Sequence, residues 1–202
     1  IMLTKEALEH LKCVQFKCSG NLIIKNEDNL ELSCELCKFD YKSINGIPIL
    51  FSEENLKTLD TRFWDQKANA NSYTDKYDKY LKKEGAPWGQ YTHESEIYGI
   101  KRLLDKNRFD EKNKTIIDCG AGNGRFLSIY KDAKFKFAVD TSLILLKRSK
   151  ERDESLICIC ADIENLPFQD YSGDLSLSIR VFQHLKNPQL AFDEMSRITK
   201  PD

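Results

Sequence analysis

From residue 115 onward, short apolar runs alternate with amphipathic stretches. The apolar runs predict four β-strands, at 115–118, 136–140, 156–162 and 174–180. Helical spacing in RFLSIYKD, LILLKRSKERD and NPQLAFDEMSRITK predicts helices between and after them. Strands that alternate with helices indicate an α/β fold, with a parallel sheet joined by right-handed crossovers.

Upstream of residue 115 the alternation of apolar runs and amphipathic stretches is absent. The chain therefore divides into three predicted parts: 1–50, 51–114 and 115–202. Residues 1–50 end in the apolar, strand-like run INGIPILF. Residues 51–114 are polar and aromatic. They hold one helical face formed by Tyr73, Tyr77 and Tyr80, a break at 84–90 and an amphipathic helix at 95–107.

Composition places the chain among ordinary globular proteins. Of its 202 residues, 41% are hydrophobic and 31% charged, and the net charge is −1. The absence of a basic excess lowers the expectation of a nucleic-acid partner without excluding a local patch. With no long apolar run and no basic-then-apolar start, we expect a cytoplasmic protein without a membrane partner.

Four of the seven cysteines form a cluster with the spacing C-x4-C-x15-C-x2-C: Cys13, Cys18, Cys34 and Cys37. Two close pairs of thiolates suit tetrahedral, structural Zn²⁺. The alternative is four unliganded buried thiols. Cys119, Cys158 and Cys160 are expected to be small buried strand residues.

The stretch 116–126, IIDCGAGNGRF, places three glycines directly behind the first predicted strand of the parallel sheet. Ligands of such sheets bind beyond the carboxyl ends of the strands, and glycine lets them approach bare backbone. A dinucleotide fingerprint would read G-x-G-x-x-G. Here the third glycine comes one position early, Arg125 takes its place, and Asp118 opens the motif, which counts against an NAD-dependent oxidoreductase.

Acidic residues follow three of the predicted strands. Asp118 suits a positively charged group such as an amine, and Asp140 can accept both ribose hydroxyls of a nucleoside. Asp162 is placed to accept a hydrogen bond from an adenine amino group. Together they suit an adenosine with an amino-acid tail and no phosphate, and S-adenosylmethionine fits. Alone, Asp140 or Asp162 could be only a helix N-cap.

The pieces IIDCGAGNGRF, FAVDTS, CADIENLPF, DLSLSIRVFQHL and AFDEMSRITKP resemble, in order and spacing, the core of class I S-adenosylmethionine-dependent methyltransferases. The resemblance implies a Rossmann-like sheet over 115–202. It implies Asp118 and Gly120 at the methionine moiety, Asp140 at the ribose, and Arg180 near the methyl sulfonium. The implied cofactor-binding set is Asp118, Gly120, Ala121, Gly122, Asp140, Thr141, Asp162, Ile163 and Arg180.

The N-terminal segment is similar to the Trm112-like zinc ribbon, whose members end in a Tyr-x-x-x-x-Gly-Ile-Pro run. Here that run extends from Tyr41 to Pro48. Standalone members activate methyltransferases, and fused copies precede methyltransferase domains. The resemblance supports a structural metal and gives it no catalytic role.

The expected function is therefore methyl transfer from S-adenosylmethionine to an unidentified acceptor, which could be RNA, protein or a small molecule. Residues 61–94 are the expected lid or acceptor region, with the three tyrosines and Trp88 as lining candidates. The catalytic residue is unknown; His184 is a weak candidate for a proton acceptor and is more readily a pocket wall. The alternative is a zinc-ribbon adaptor with a catalytically idle core.

The sequence ends at Thr199-Lys200-Pro201-Asp202, where the resembling family continues into a fifth strand. We expect either that the chain is a fragment or that a partner chain completes the sheet. A third expectation is that the N-terminal region folds back over the edge left by the missing strand.

Overall fold

The structure is a computed structural model that describes residues 3–58 and 87–201. Its first part is a short helix, Lys5–Leu8, followed by a three-stranded antiparallel sheet. In this sheet β2 lies between β1 and β3. The strands are β1 (Leu22–Asn26), β2 (Glu31–Cys34) and β3 (Asp40–Tyr41).

The second sheet has six strands in the order β4-β5-β8-β7-β6-β9. All its pairings are parallel except that of β4 with β5. Its strands are β4 (Ser43–Ile44), β5 (Ile47–Leu50), β6 (Thr115–Cys119), β7 (Phe135–Asp140), β8 (Ile157–Ala161) and β9 (Leu175–Leu177). The predicted α/β fold with a parallel sheet and a small preceding β module is confirmed.

The larger sheet is buried on both faces, as its nearly continuous apolar strands require. Alternate residues divide between two cores, with Ile117 and Phe137 on one face and Ile116 and Ala138 on the other. The small sheet and the C-terminal helix Pro188–Ile198 pack on the first face. The second is covered by the long helix Pro87–Lys106 and the helix Leu143–Arg152.

The N-terminal part is joined to the larger sheet by backbone pairing as well as by side chains. β5 pairs with β8, Ile49 opposite Cys160, so the end of the predicted first part extends the parallel sheet. Nearby, Leu11 forms an antiparallel bridge with Phe168. Within the described ranges, the β8–β9 connection contains no helix, and the N-terminal residues lie against this connection instead.

Asn45 and Gly46 form the tight turn of the β4–β5 hairpin, and both have positive φ. An Asn-Gly pair between apolar residues is a strong hairpin signal, because a type I′ turn needs positive φ at both central positions. This signal in INGIPILF shows where the apolar run divides into two strands.

Three predictions about elements need correction. Residues 125–132 form only the 3₁₀ turn Leu127–Ile129, because its N–H groups bond three residues back, as from Leu127 to Gly124. The helix expected at 95–107 begins at Pro87, a residue well suited to a first helical turn. β9 is shorter than predicted.

The expectation that the N-terminal region covers the β9 edge is wrong. β4 and β5 extend the sheet beyond β8, at the opposite edge. At the β9 edge the structure has an isolated bridge between Gly173 and Thr199 and a 2.6 Å contact between Ser176 Oγ and Thr199 Oγ1, both formed by the C-terminal segment. The tyrosine face at 73–80 lies outside the described residues. No helix within the described ranges has both the length and the apolar character needed to cross a bilayer.

Candidate functional site

The three acids predicted from the sequence meet at one edge of the larger sheet. Asp118 is the penultimate residue of β6, Asp140 ends β7, and Asp162 directly follows β8. The parallel register places Asp118 beside Ala138, and Asp140 beside Cys160. Because the strands are parallel, these carboxylates share the carboxyl edge, where open α/β sheets bind ligands.

The three glycines of the loop after β6 all have positive φ, between +55° and +84°. A Cβ on Gly120 would lie 2.3 Å from Val181 Cγ2, and one on Gly124 would lie 2.2 Å from Ser149 Oγ. At Gly122 the nearest heavy atom would be Leu145 Cδ1, at 4.0 Å. Packing within the chain therefore requires Gly120 and Gly124 to be bare, whereas a Cβ on Gly122 would make no close contact with the residues that the structure describes.

Asp140 holds the glycine loop in place. Its Oδ2 accepts a hydrogen bond from Gly122 N at 2.8 Å, and its Oδ1 accepts one from Ser142 N at 2.9 Å. Thr141 lies between these residues, and its carbonyl accepts a contact from Cys160 Sγ at 3.5 Å. Each carboxylate oxygen can accept more than one hydrogen bond, so Asp140 can still receive a ligand hydroxyl.

Asp118 is the most unusual carboxyl group of the site. Its side chain is 1% exposed, and its Oδ2 has no hydrogen-bond partner in the described part of the chain. Burial, and secondly the charge of Asp140, raise the pKa of Asp118 to about 7, although Arg125 opposes the shift. A buried carboxyl oxygen without a hydrogen-bond partner is costly. A cationic ligand group at Oδ2 would remove that cost.

A network of ion pairs closes the site on the side of the long helix. Arg125, which is only 8% exposed, donates from Nη1 to Glu96 Oε2 at 2.7 Å and lies 2.9 Å from His93 Nδ1. Arg180 Nε lies 2.5 Å from the other oxygen of Glu96. Glu96 therefore joins the glycine loop to the residue predicted to line the methyl end of the pocket.

Asp162 lines a cleft of about 520 Å³. Its Oδ2 accepts a hydrogen bond from Asn55 Nδ2 at 3.2 Å, and its Oδ1 accepts one from Glu164 N at 2.9 Å. Burial raises its pKa, despite the Glu164 hydrogen bond. Ile163 is buried beside it. The cleft is bounded by the N-terminal part as well as by the parallel sheet.

The remaining predicted residues occupy less distinctive places. Ala121 is buried, and its N–H donates to Val139 O at 2.9 Å. His184 is exposed on the 3₁₀ turn Phe182–His184. Trp88 is 75% exposed at the start of the long helix, 6.1 Å from the ring of Tyr91. Among the described residues, Cys119, Cys158 and Cys160 are buried in strands.

The four clustered cysteines meet in the small N-terminal part, with their Sγ atoms all within 4.8 Å of one another. The Cys13–Cys37 and Cys18–Cys34 sulfur pairs are each 3.6 Å apart. Four sulfurs at about 2.3 Å from a tetrahedral Zn²⁺ would lie about 3.8 Å apart. The cluster therefore brings four sulfurs close enough together to hold one metal ion, with a ligand set that suits structural zinc.

The surroundings of the thiols favour the thiolate at Cys34 and oppose it at Cys13 and Cys37, where burial raises the pKa of each thiol. Burial of Cys34 opposes ionisation, but the N–H groups of Cys37 and Leu36 outweigh it and lower the pKa of that thiol to about 7. Tyr41 Oη lies 3.0 Å from Cys13 Sγ. Lys17 and Lys38 have positive φ beside Cys18 and Cys37, which allows the chain to turn sharply around the metal position.

Residues 117–202 match the family model described as a methyltransferase domain. This match supports a methyltransferase domain over this segment. It covers the glycine loop, the three acids and Arg180. It does not include the cysteine cluster or the long helix.

Two curated relatives cover different lengths of the chain. An uncharacterized protein of Methanocaldococcus jannaschii is 41% identical over 98 residues, which cover 48% of this chain and 41% of that protein. The malonyl-(acyl-carrier protein) O-methyltransferase of Marinomonas sp. is 31% identical over 139 residues, covering 66% and 51%. The chain thus spans about two-fifths of the first relative and half of the second.

A solved structure with partial similarity is the complex between the Haloferax volcanii Trm112 methyltransferase activator and a proposed methyltransferase. The match has a TM-score of 0.43 and 24% identity, and it covers 53% of this chain and 53% of that chain.

Several residues of the site were not found by sequence reasoning. Glu96 and His93 lie on the long helix, and nothing in the local pattern distinguishes them from other polar helix residues. Arg125 is distinctive in the sequence only because it stands where the third glycine of a dinucleotide fingerprint would be. Asn55 approaches Asp162 from a segment 107 positions away along the chain. Such partners are brought together by the tertiary structure and have no local sequence signal.

Proposed function

We propose that this chain transfers the methyl group of S-adenosylmethionine to an acceptor that is RNA, protein or a small molecule. The observation that carries the proposal is the buried Asp118, whose Oδ2 lacks a partner in the described structure and which lies at the start of the glycine loop. An amino group satisfies such a carboxylate, whereas a phosphate would be repelled. The family match of residues 117–202 supports the same reading.

In this proposal each acid recognises a different part of the donor. Asp118 accepts from the amino group, Asp140 accepts from the ribose hydroxyls, and Asp162, next to Ile163, accepts from the adenine amino group. The ligand approaches bare backbone at four residues: Gly120, Ala121, Gly122 and Thr141. Arg180 lies at the methyl end.

The donor supplies an electrophilic methyl group on a positively charged sulfonium. The contribution of the chain is then alignment of the acceptor and exclusion of water. The long helix, held over the glycine loop by the Glu96–Arg125 pair, is the element that would exclude water. We assign no general base; exposed His184 stays only a weak candidate.

We further propose that Cys13, Cys18, Cys34 and Cys37 bind one structural Zn²⁺ in a Trm112-like ribbon. The division into a ribbon at 1–50, a linker or lid at 51–114 and a cofactor-binding core at 115–202 also belongs to this proposal. An adaptor with an idle core is the second candidate, because Phe16 and Leu36, beside the cluster, are 81% and 69% exposed.

Calorimetric titration of the zinc-loaded protein with S-adenosylhomocysteine tests the cofactor assignment, with NAD as the comparison ligand. We expect binding of the first ligand and none of the second. Asp140→Ala should weaken binding by roughly 1–3 kcal/mol, the scale of a lost charge-assisted hydrogen bond. Asp105→Ala, at an exposed position of the long helix, is the matched control.

Two outcomes would contradict the proposal. Failure of the wild type to bind S-adenosylhomocysteine would contradict the cofactor assignment. It would also contradict the proposed methyltransferase activity, which depends on that cofactor. Binding without transfer of labelled methyl groups to any fraction of a cell extract would favour the adaptor.

A further inference from the structure

The cleft that contains Asp162 is lined by segments that are far apart in the sequence. One segment contains Asp162 and Asn165, which follow β8. Another contains Val14, Gln15 and Phe16, which lie inside the first cysteine pair of the cluster. We call residues 13–18 the first knuckle. The cleft therefore brings the candidate adenine-binding acid next to the candidate metal site.

Gln15 is held by the cysteine cluster through Tyr41. Gln15 N lies 3.5 Å from Cys13 Sγ, and its side-chain Nε2 donates to Tyr41 Oη at 3.3 Å. Tyr41 Oη lies 3.0 Å from the same sulfur and also accepts from Val14 N at 3.2 Å. The orientation of Gln15 thus depends on the position of Cys13.

The same glutamine holds the segment that reaches Asp162. Its Nε2 donates to Phe51 O at 3.2 Å, and its Oε1 accepts from Glu53 N at 3.0 Å. Both ends of the amide are therefore occupied by the backbone just after β5. From that segment, Asn55 Nδ2 donates to Asp162 Oδ2 at 3.2 Å.

A second connection runs directly from the first knuckle to the loop after β8. Asn165 Nδ2 donates to Val14 O at 3.2 Å, and Asn165 N donates to Asp162 O at 3.1 Å. Two hydrogen-bonded routes thus lead from the first knuckle to Asp162, one to its side chain through Gln15 and Asn55 and one to its backbone through Asn165.

From these contacts we infer that the first knuckle is a wall of the nucleoside pocket and that Gln15 is a positioning residue for Asp162. Metal binding at the four cysteines then strengthens binding of the adenosine part of the ligand. The inference rests on the proposed function, because it takes Asp162 as the adenine acceptor. Its physical basis is that the first knuckle has only six residues and no regular secondary structure. Such a short loop needs the metal to keep its shape.

Such a coupling is reciprocal: if zinc raises nucleoside affinity by some factor, the nucleoside raises zinc affinity by the same factor. Couplings between sites are typically about 5- to 150-fold. We expect zinc to raise nucleoside affinity by a factor on the order of ten. Two routes connect the sites, which favours coupling. The contacts of Asp118 and Asp140 with the ligand do not involve the knuckle, which limits it.

The experiment measures S-adenosylhomocysteine and adenosine affinities of the full chain by calorimetry. Zinc-loaded wild type, zinc-free wild type and zinc-loaded Gln15→Ala are compared. We expect both ligands to bind about tenfold more weakly to the last two samples. Zinc content, measured by elemental analysis, should be unchanged by Gln15→Ala, because Gln15 contributes no thiolate.

Gln169→Ala is the matched control. The Gln169 amide also joins the N-terminal part to the core, donating to Leu11 O at 3.2 Å and Asn21 Oδ1 at 3.1 Å, but it does not line the cleft. We expect this variant to bind both ligands as the wild type does. Equal weakening by Gln15→Ala and Gln169→Ala would indicate general loosening of the N-terminal part and would overturn the role of Gln15.

A chelator competition supplies the second readout. S-adenosylhomocysteine should reduce the zinc lost to a fixed chelator concentration in the wild type, and this protection should shrink in Gln15→Ala. Unchanged ligand affinity in both zinc-free wild type and Gln15→Ala overturns the inference while leaving the proposed function intact. If the zinc-loaded wild type binds neither ligand, the proposed function itself fails.

Discussion

Arg125 Nη1 donates to Glu96 Oε2 over 2.7 Å, and this contact fixes the long helix over the glycine loop. The arginine is nearly buried, so its charge needs a partner. The other oxygen of Glu96 is taken by Arg180, which has positive φ and lies beyond β9. A single carboxylate thus joins a helix, a loop and the end of a strand around the candidate site.

Replacing Glu96 tests this junction. Glu96→Gln leaves the buried Arg125 without its carboxylate, and we expect a loss of about 3 kcal/mol in the free energy of unfolding. Urea denaturation followed by circular dichroism measures it. Glu94→Gln, at an exposed position of the same helix, should change stability by less than about 0.5 kcal/mol. Equal effects of the two substitutions would contradict the bridging role.

Asp118 should make the stability of the protein depend on pH. Its pKa is raised to about 7 in the folded state, so its contribution is fully favourable below the unfolded pKa and is lost as pH rises through about 7. From about pH 5 to about pH 8 the wild type should lose roughly 2–3 kcal/mol relative to Asp118→Asn, which cannot ionise.

The measurement is urea unfolding of both proteins at the two pH values, and the comparison cancels titrations they share, including those of His10 and His93. A wild-type-minus-variant difference that does not move with pH would show that Asp118 is already ionised or already paired.

Gly120 and Gly122 should respond differently to alanine. Both have positive φ, so each substitution carries a strain of about 1–2 kcal/mol. Gly120→Ala adds a Cβ at 2.3 Å from Val181 Cγ2, whereas the Cβ of Gly122→Ala meets no atom of the described residues closer than 4.0 Å. We expect Gly120→Ala to lower the melting temperature clearly more than Gly122→Ala does.

Gly122→Ala, the less destabilised of the two variants, should nevertheless bind the ligand poorly. Gly122→Ala adds a methyl group to the loop that we propose binds the ligand, so the variant should fold and yet lose most of its affinity for S-adenosylhomocysteine. Calorimetry at a temperature where the variant is folded would decide this. Wild-type affinity in Gly122→Ala would place the ligand elsewhere.

The cysteine cluster predicts about one Zn²⁺ per chain. Cys37→Ser removes an exposed ligand without disturbing the core, and we expect it to lose the metal during dialysis against a weak chelator that leaves the wild type loaded. Cys158→Ser, in β8 and outside the cluster, should keep its zinc. Wild-type protein purified without chelator and free of stoichiometric metal would contradict the site.

The local sequence was sufficient to predict elements with a regular apolar spacing and groups of residues with a characteristic type and order. The strands from β6 to β9, the helix Leu143–Arg152 and the helix Pro188–Ile198 follow from apolar patterns, since burial on a sheet face or a helix stripe imposes a fixed spacing. The Cys13–Cys37 set and the carboxylates at strand ends follow from residue type and order alone, because parallel strands bring their carboxyl ends together.

Only the tertiary structure decided which distant groups meet. It placed β5 beside β8, opposite the edge where the N-terminal region was expected, and it brought Gln15 and Asn55 to the cleft of Asp162. It also showed that Gly120 and Gly124 are bare because Val181 and Ser149 press against them. Contacts of this kind depend on how layers pack, and packing is a property of the whole chain that leaves no period in its local sequence.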